Sequence, residues 1–111
     1  MTDSNHSARC LCGGVRFNAS LKSSEVAVCH CGMCRRWSGG TFMCVEFEGA
    51  LDIDPDSEPH LGVFQSSGWG ERGFCRTCGS SLFWRMQDGS FGAVSVQAIE
   101  HTGEASLTTE M

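Results

Sequence analysis

Apolar and polar residues alternate along this chain in short stretches, and none keeps a helical period for more than about two turns. Thr41 to Phe47 (TFMCVEF) carries the clearest strand pattern, dense in β-forming residues. Arg9 to Phe17 predicts a strand, a turn at Gly13-Gly14 and a second strand. Glu25 to Cys29 and Ser81 to Arg85 predict further strands, and Phe91 to Ile99 (FGAVSVQAI) another with imperfect alternation. Leu51 to Ile53 and Leu61 to Gln65 predict short strands around the loop from Asp54 to Pro59. Ser66 to Gly70 predicts a turn. Met33 to Gly40 predicts a short helical turn ended by Gly39-Gly40. Residues 1–7 are polar and predict a disordered tail, which leaves 8–111 as a single domain. Many short strands joined by glycine-rich turns predict a mainly β, sandwich-type fold.

Composition narrows the function classes. With 8 Lys and Arg against 13 Asp and Glu, the formal charge is −5, unsuited to a general phosphate-backbone binder, so no nucleic-acid partner is expected. No apolar run approaches the roughly 20 residues that span a bilayer, so no membrane partner is expected either. The first residues lack the apolar core of a secretion signal, which points to a cytoplasmic protein. In a reducing compartment 8 cysteines in 111 residues favour metal ligation over disulfides. A domain this small gains much from such a staple.

The cysteines cluster as metal sites require. Cys10-Leu11-Cys12 places two side chains on one face if the segment is extended. Cys75-Arg76-Thr77-Cys78 brackets a tight turn before Gly79. Cys29-His30-Cys31-Gly32-Met33-Cys34 runs a C-x-C into a C-x-x-C and offers three thiolates to one point. Closed structural zinc takes four ligands, and catalytic zinc takes three with one position open. Cys10, Cys12, Cys75 and Cys78 supply four, and Cys29, Cys31 and Cys34 supply three. A triplet completed by Cys44 or by a histidine is the other partition. Cys44, mid-strand in an apolar run, predicts a buried small hydrophobe. His6, His60 and His101 lack ligand-like neighbours and predict surface positions.

Three stretches carry a family resemblance: Cys10 to Phe17 (CLCGGVRF), Cys29 to Gly39 (CHCGMCRRWSG), and Phe74 to Trp84 (FCRTCGSSLFW). In order, spacing and flanks they resemble the glutathione-dependent formaldehyde-activating enzymes, a family that includes centromere protein V-like relatives. The resemblance implies a small β-tent of coiled β-sheets built around two zinc ions. It implies structural zinc at Cys10, Cys12, Cys75 and Cys78, and catalytic zinc at Cys29, Cys31 and Cys34. It implies a carbon–sulfur lyase of the S-hydroxymethylglutathione synthase type, with glutathione as the thiol partner and formaldehyde as the aldehyde. It also implies a further apolar segment beyond Glu110-Met111, so the chain reads as a short member or a truncated one, with a homo-oligomer able to complete a pocket wall.

Around the triplet, His30, Arg35, Arg36, Trp37, Ser38 and Gly39 are the substrate-binding candidates. The arginines suit a carboxylate such as glutathione carries. His30, the two arginines and Trp37 also have plainer readings: a structural histidine, a solvated basic turn, a core tryptophan. The alternative function is a non-catalytic interaction or scaffold module in which both zincs are structural and His30 or Cys44 closes the triplet.

Overall fold

The computed structural model describes residues 5–22 and 25–100. Its described residues form two antiparallel sheets. In the smaller, β1 (Asn5–Arg9) pairs with β2 (Arg16–Ser20), and β5 (Asp52–Ile53) adds to the other side of β2. The larger contains β3 (Ala27–Cys29), β4 (Phe42–Glu48), β6 (Leu61–Phe64), β7 (Gly70–Cys75), β8 (Ser81–Met86) and β9 (Phe91–Ser95), in the spatial order β3-β4-β9-β8-β7-β6. One helix, α1 (Gly32–Ser38), links β3 to β4. The expected mainly β arrangement of small coiled sheets is the one that forms.

Alternation explains how the sheets meet. Phe17 and Ala19 of β2 are buried while Arg16 is exposed, and in β4 Phe42, Cys44 and Phe47 are buried while Glu46 and Glu48 are exposed. Phe17 meets Phe83 of β8 edge-on, with centroids 5.6 Å apart. One cluster joins Ala8, Val15 and Phe17 to Val45, Phe47, Leu82, Phe83 and Val94. Each large side chain buried there contributes about 1.5–3 kcal/mol.

Several elements differ from the sequence expectation. β1 starts at Asn5, inside the stretch assigned to a tail, because Asn5, His6 and Ser7 find partners in Ser20, Ala19 and Asn18; residues 1–4 lie outside the described residues. The run from Phe91 leaves the sheet at Ser95 for a 3-10 turn over Val96–Ala98. The loop after Asp54 is a 3-10 helix, Pro55–His60, begun by an Asp54 Oδ1 that accepts from Asp56 N at 3.0 Å. Its Ser57 is buried, and the hydroxyl accepts from Arg16 N at 2.8 Å. β7 (GERGFC) forms where the residue pattern marks no strand. Glycines and two charged residues hide its strand character, yet Glu71 is paired with Arg85 at 2.7 Å and both flanking strands hydrogen-bond to it.

Gly92 of β9 shows how tight the large sheet is. A Cβ there would collide with the Trp84 carbonyl oxygen and lie 2.7 Å from Arg85 Cα and 2.8 Å from Phe47 Cζ. Backbone cannot move aside as a flexible side chain can. Gly92→Ala is therefore expected to destabilise the metal-loaded protein by about 3 kcal/mol. A urea midpoint indistinguishable from the parent would contradict this packing.

Candidate metal centre

The first cluster joins two turns distant in sequence. Cys10 follows β1, and Cys12 lies in the turn before β2; Cys75 ends β7, and Cys78 lies in the turn before β8. The C-x-C segment is a turn and not the extended strand its spacing suggested. Cys10 N donates to Val15 O at 3.1 Å and Gly13 N to Cys10 O at 3.2 Å, and Leu11 is 80% exposed. The four sulfurs lie within 4.8 Å of one another. Cys10 Sγ is 3.6 Å from Cys12 Sγ, which is 3.8 Å from Cys75 Sγ. A tetrahedron with arms of about 2.3 Å, the zinc–sulfur length, has edges of about 3.8 Å. The donor set and its spacing therefore fit a four-thiolate metal.

Backbone N–H groups surround these sulfurs. Val15 N donates to Cys10 Sγ at 3.3 Å, Gly14 N to Cys12 Sγ at 3.4 Å, and Thr77 N and Cys78 N to Cys75 Sγ at 3.3 and 3.4 Å. Cys78 Sγ lies 3.2 Å from Ser80 Oγ, and that hydroxyl, then the Cys12 N–H, holds the Cys78 thiol down to about 5. Cys12 moves the other way. Gly14 N–H pulls it down, but burial and the three neighbouring sulfurs outweigh that pull and push it up to about 11. Four thiols at one point cannot all ionise without a cation between them.

The second cluster sits at the β3–α1 junction. Cys29 ends β3, Cys31 is the N-cap of α1, and Cys34 lies in its first turn. The three sulfurs lie within 4.8 Å of one another. Cys31 Sγ accepts from Cys34 N at 3.3 Å, so the ligand cluster also starts the helix. Gly39 ends α1 at φ 80°, its N–H donating to Arg35 O at 2.9 Å. Cys34 N–H, then the Cys34 and Cys29 side chains, bring the exposed Cys31 thiol down to about 7. Burial and Cys29 push Cys34 up to about 12 against the pull of Arg72. The donors fit a soft divalent metal such as zinc, with three sulfurs in place of four.

The other predicted residues fall around this cluster. His30 is exposed and not among the gathered donors. Arg35 and Arg36 are exposed on α1. Trp37 is half-buried edge-on against Phe42, with centroids 5.2 Å apart. Ser38 Oγ lies 2.7 Å from Cys34 O and 2.8 Å from Gly40 O, so with Gly39 it shapes the helix end. Ser38 also lines a cavity of about 760 Å³ with Leu11, Thr41, Phe42, Ser80 and Gln97, but no sulfur of the triplet lines it. Cys44 is buried beside Cys34 and Phe42, outside the gathered donors, its thiol pushed up to about 11 by burial and then by Cys29 and Glu46. None of the eight cysteines is in a disulfide.

Two further residues touch the clusters from distant segments. His60, expected as a surface residue, is half-buried with its ring against Gly14, and its Nδ1 lies 2.7 Å from Thr77 Oγ1 in the second turn of the four-cysteine site. His101 lies outside the described residues. Arg72 is 5% exposed, and its Nη1 donates to Cys34 Sγ at 3.7 Å. No local spacing announces either contact, since 17 and 38 residues separate the partners.

Residues 5–110 match the sequence profile described as glutathione-dependent formaldehyde-activating enzyme. An uncharacterized lyase of Schizosaccharomyces pombe is 29% identical over 84 residues, which are 76% of this chain and 60% of that protein. A Halomonas elongata protein provisionally named glutathione-dependent formaldehyde-activating enzyme is 31% identical over 81 residues, 67% of this chain and 52% of that one. This chain thus spans less than two thirds of either relative. A Rhodobacter sphaeroides protein of known crystal structure superposes with a TM-score of 0.71 at 23% identity, covering 85% of this chain and 87% of that one, and so shares its fold. Among the described residues no helix is long and apolar enough to cross a membrane.

Proposed function

The chain belongs to the glutathione-dependent formaldehyde-activating enzyme family, and from that premise we propose that it is a zinc-dependent carbon–sulfur lyase that joins a thiol, glutathione being the preferred one, to a small aldehyde such as formaldehyde. Cys10, Cys12, Cys75 and Cys78 hold a structural zinc in this reading, and Cys29, Cys31 and Cys34 hold the zinc of the reaction centre. Three gathered sulfurs with no fourth side-chain donor among the described residues support it. A zinc held by three thiolates supplies an open position and favours the thiolate form of an incoming thiol.

The residues of the chain do the rest. Arg35 and Arg36 stand exposed immediately after Cys34, and in this reading they meet the carboxylates of a glutathione-like thiol. Trp37, edge-on against Phe42, is the proposed wall of the thiol's approach. The sulfur–carbon bond forms as the carbonyl π pair moves to oxygen, and that oxygen takes the proton the thiol gave up, so no atom leaves. His30, exposed between two ligands, is the candidate to carry that proton.

The test loads the protein with zinc and follows S-hydroxymethylglutathione by NMR after glutathione and formaldehyde are mixed. The expected result is equilibration faster than in buffer with free zinc. An unchanged rate, together with no saturable glutathione binding, would leave the scaffold alternative standing.

A further inference from the structure

Arg72 lies on β7, hydrogen-bonded on one side to β6 opposite Phe64 and on the other to β8 opposite Trp84. It is 5% exposed. Burying a cation without a partner is costly, and buried arginines are ordinarily matched by a carboxylate. The neighbouring Glu71 obeys this rule, with Arg85 Nε 2.7 Å from its Oε2. Among the described residues no carboxylate pairs with Arg72. Its Nε is buried without a hydrogen-bond partner, its guanidinium carbon lies 5.0 Å from the Trp37 ring centroid, and its Nη1 donates to Cys34 Sγ at 3.7 Å. The anion this cation faces is the three-cysteine centre.

The charges explain the placement. Three thiolates around a divalent ion leave one net negative charge, which Arg72 cancels. A neutral centre can accept an anionic fourth ligand, whereas a negative one repels it. The planar guanidinium suits the position, since one edge donates to sulfur while its face lies over Trp37.

We propose that Arg72 is the positioning residue of the three-cysteine centre: it holds Cys34 by a charge-assisted N–H···S bond and supplies the counter-charge that lets the centre take a thiolate as its fourth ligand. This rests on the proposed function and adds to it a reason for preferring an anionic sulfur ligand over a neutral one. Trp37 is then a brace for the arginine.

The experiment uses the full chain loaded with cobalt(II), whose absorption reports ligands at the metal. Glutathione and imidazole, one anionic at the metal and one neutral, are titrated separately into the parent, Arg72→Met, Arg72→Gln and Arg72→Lys. Removing the charge is expected to weaken glutathione binding at least about tenfold, as for a full charge lost nearby at an effective dielectric near 20. Imidazole binding should stay within about twofold, and Arg72→Lys should keep most of the glutathione affinity. Neutral variants that fail to fold while Arg72→Lys folds also support the counter-charge. Loss of fold in all three variants, equal losses for both ligands, or glutathione bound as in the parent overturns the inference. A parent that binds no thiol overturns the proposed function and this inference with it, whereas an Arg72→Met protein that binds thiol as tightly as the parent overturns this inference alone.

Discussion

Cys75→Ala is expected to leave the chain unfolded at room temperature, with a far-ultraviolet spectrum lacking its β signature and no cooperative thermal transition. Cys75 is fully buried, its sulfur is 3.8 Å from that of Cys12, and it accepts N–H bonds from Thr77 and Cys78. The cluster ties the β1–β2 turn of the small sheet to the β7–β8 turn of the large one, across 63 residues of sequence. A structural zinc contributes on the order of 10 kcal/mol to small domains, and a domain of this size has a total stability of about 5–15 kcal/mol. With the structural metal proposed above, its loss removes most of that margin, so the phenotype is loss of fold and not a lowered midpoint. Strong chelation of the parent should give the same spectrum. Cys44→Ala is the control: the thiol is buried beside Phe42 and Cys34 but lies outside both donor groups, so the cost should be about 1 kcal/mol. A Cys75→Ala protein that melts like the Cys44→Ala protein would mean the four sulfurs hold no structural metal.

The parts of this site legible in the sequence are those in which chemistry is local. Cys29, Cys31 and Cys34 sit within six residues, and the same spacing that gathers their sulfurs also caps α1, so ligand pattern and helix start coincide. Gly39 marks the helix end for an equally local reason. The sulfurs of Cys10 and Cys12 do gather with those of Cys75 and Cys78, but from a turn and not from a strand. A two-residue spacing brings sulfurs together in a strand, but it does so equally in the turn that forms. What stayed hidden depends on contacts between segments distant in sequence. β7 carries Gly73, where a Cβ would run into the Phe83 ring, so the strand is glycine-rich because of its neighbour and its own residues do not mark it as a strand. Arg72 looks like a surface charge until β7 is placed in the sheet and the residue turns out to face Cys34. His60 likewise becomes part of the knuckle only when the 3-10 helix brings it against Gly14 and Thr77.

Cys34→Ala is expected to separate the two clusters. The protein should fold, keep the four-cysteine metal, bind one equivalent less of zinc than the parent, and lose thiol binding and adduct formation by at least about a hundredfold. Folding survives because the triplet closes only the local β3–α1 segment and the main core is assembled elsewhere, around Phe17, Phe47 and Phe83. The lost packing of one buried sulfur in the small cluster with Phe42 and Cys44 costs about 1–2 kcal/mol, or roughly 5–10 °C in midpoint for a domain of this length, and the unpaired Arg72 adds to it. Function does not survive, because two sulfurs do not hold zinc against competing water and thiols as three do. Cys34 is also the acceptor for Arg72, so its loss leaves that buried cation without its only hydrogen-bonded anion among the described residues. Zinc stoichiometry, the melting midpoint and the glutathione titration on one preparation decide the matter. If Cys34→Ala unfolds as completely as Cys75→Ala, both clusters are structural and the scaffold alternative gains. If it folds, loses one zinc and still accelerates the reaction, the chemistry lies away from the triplet.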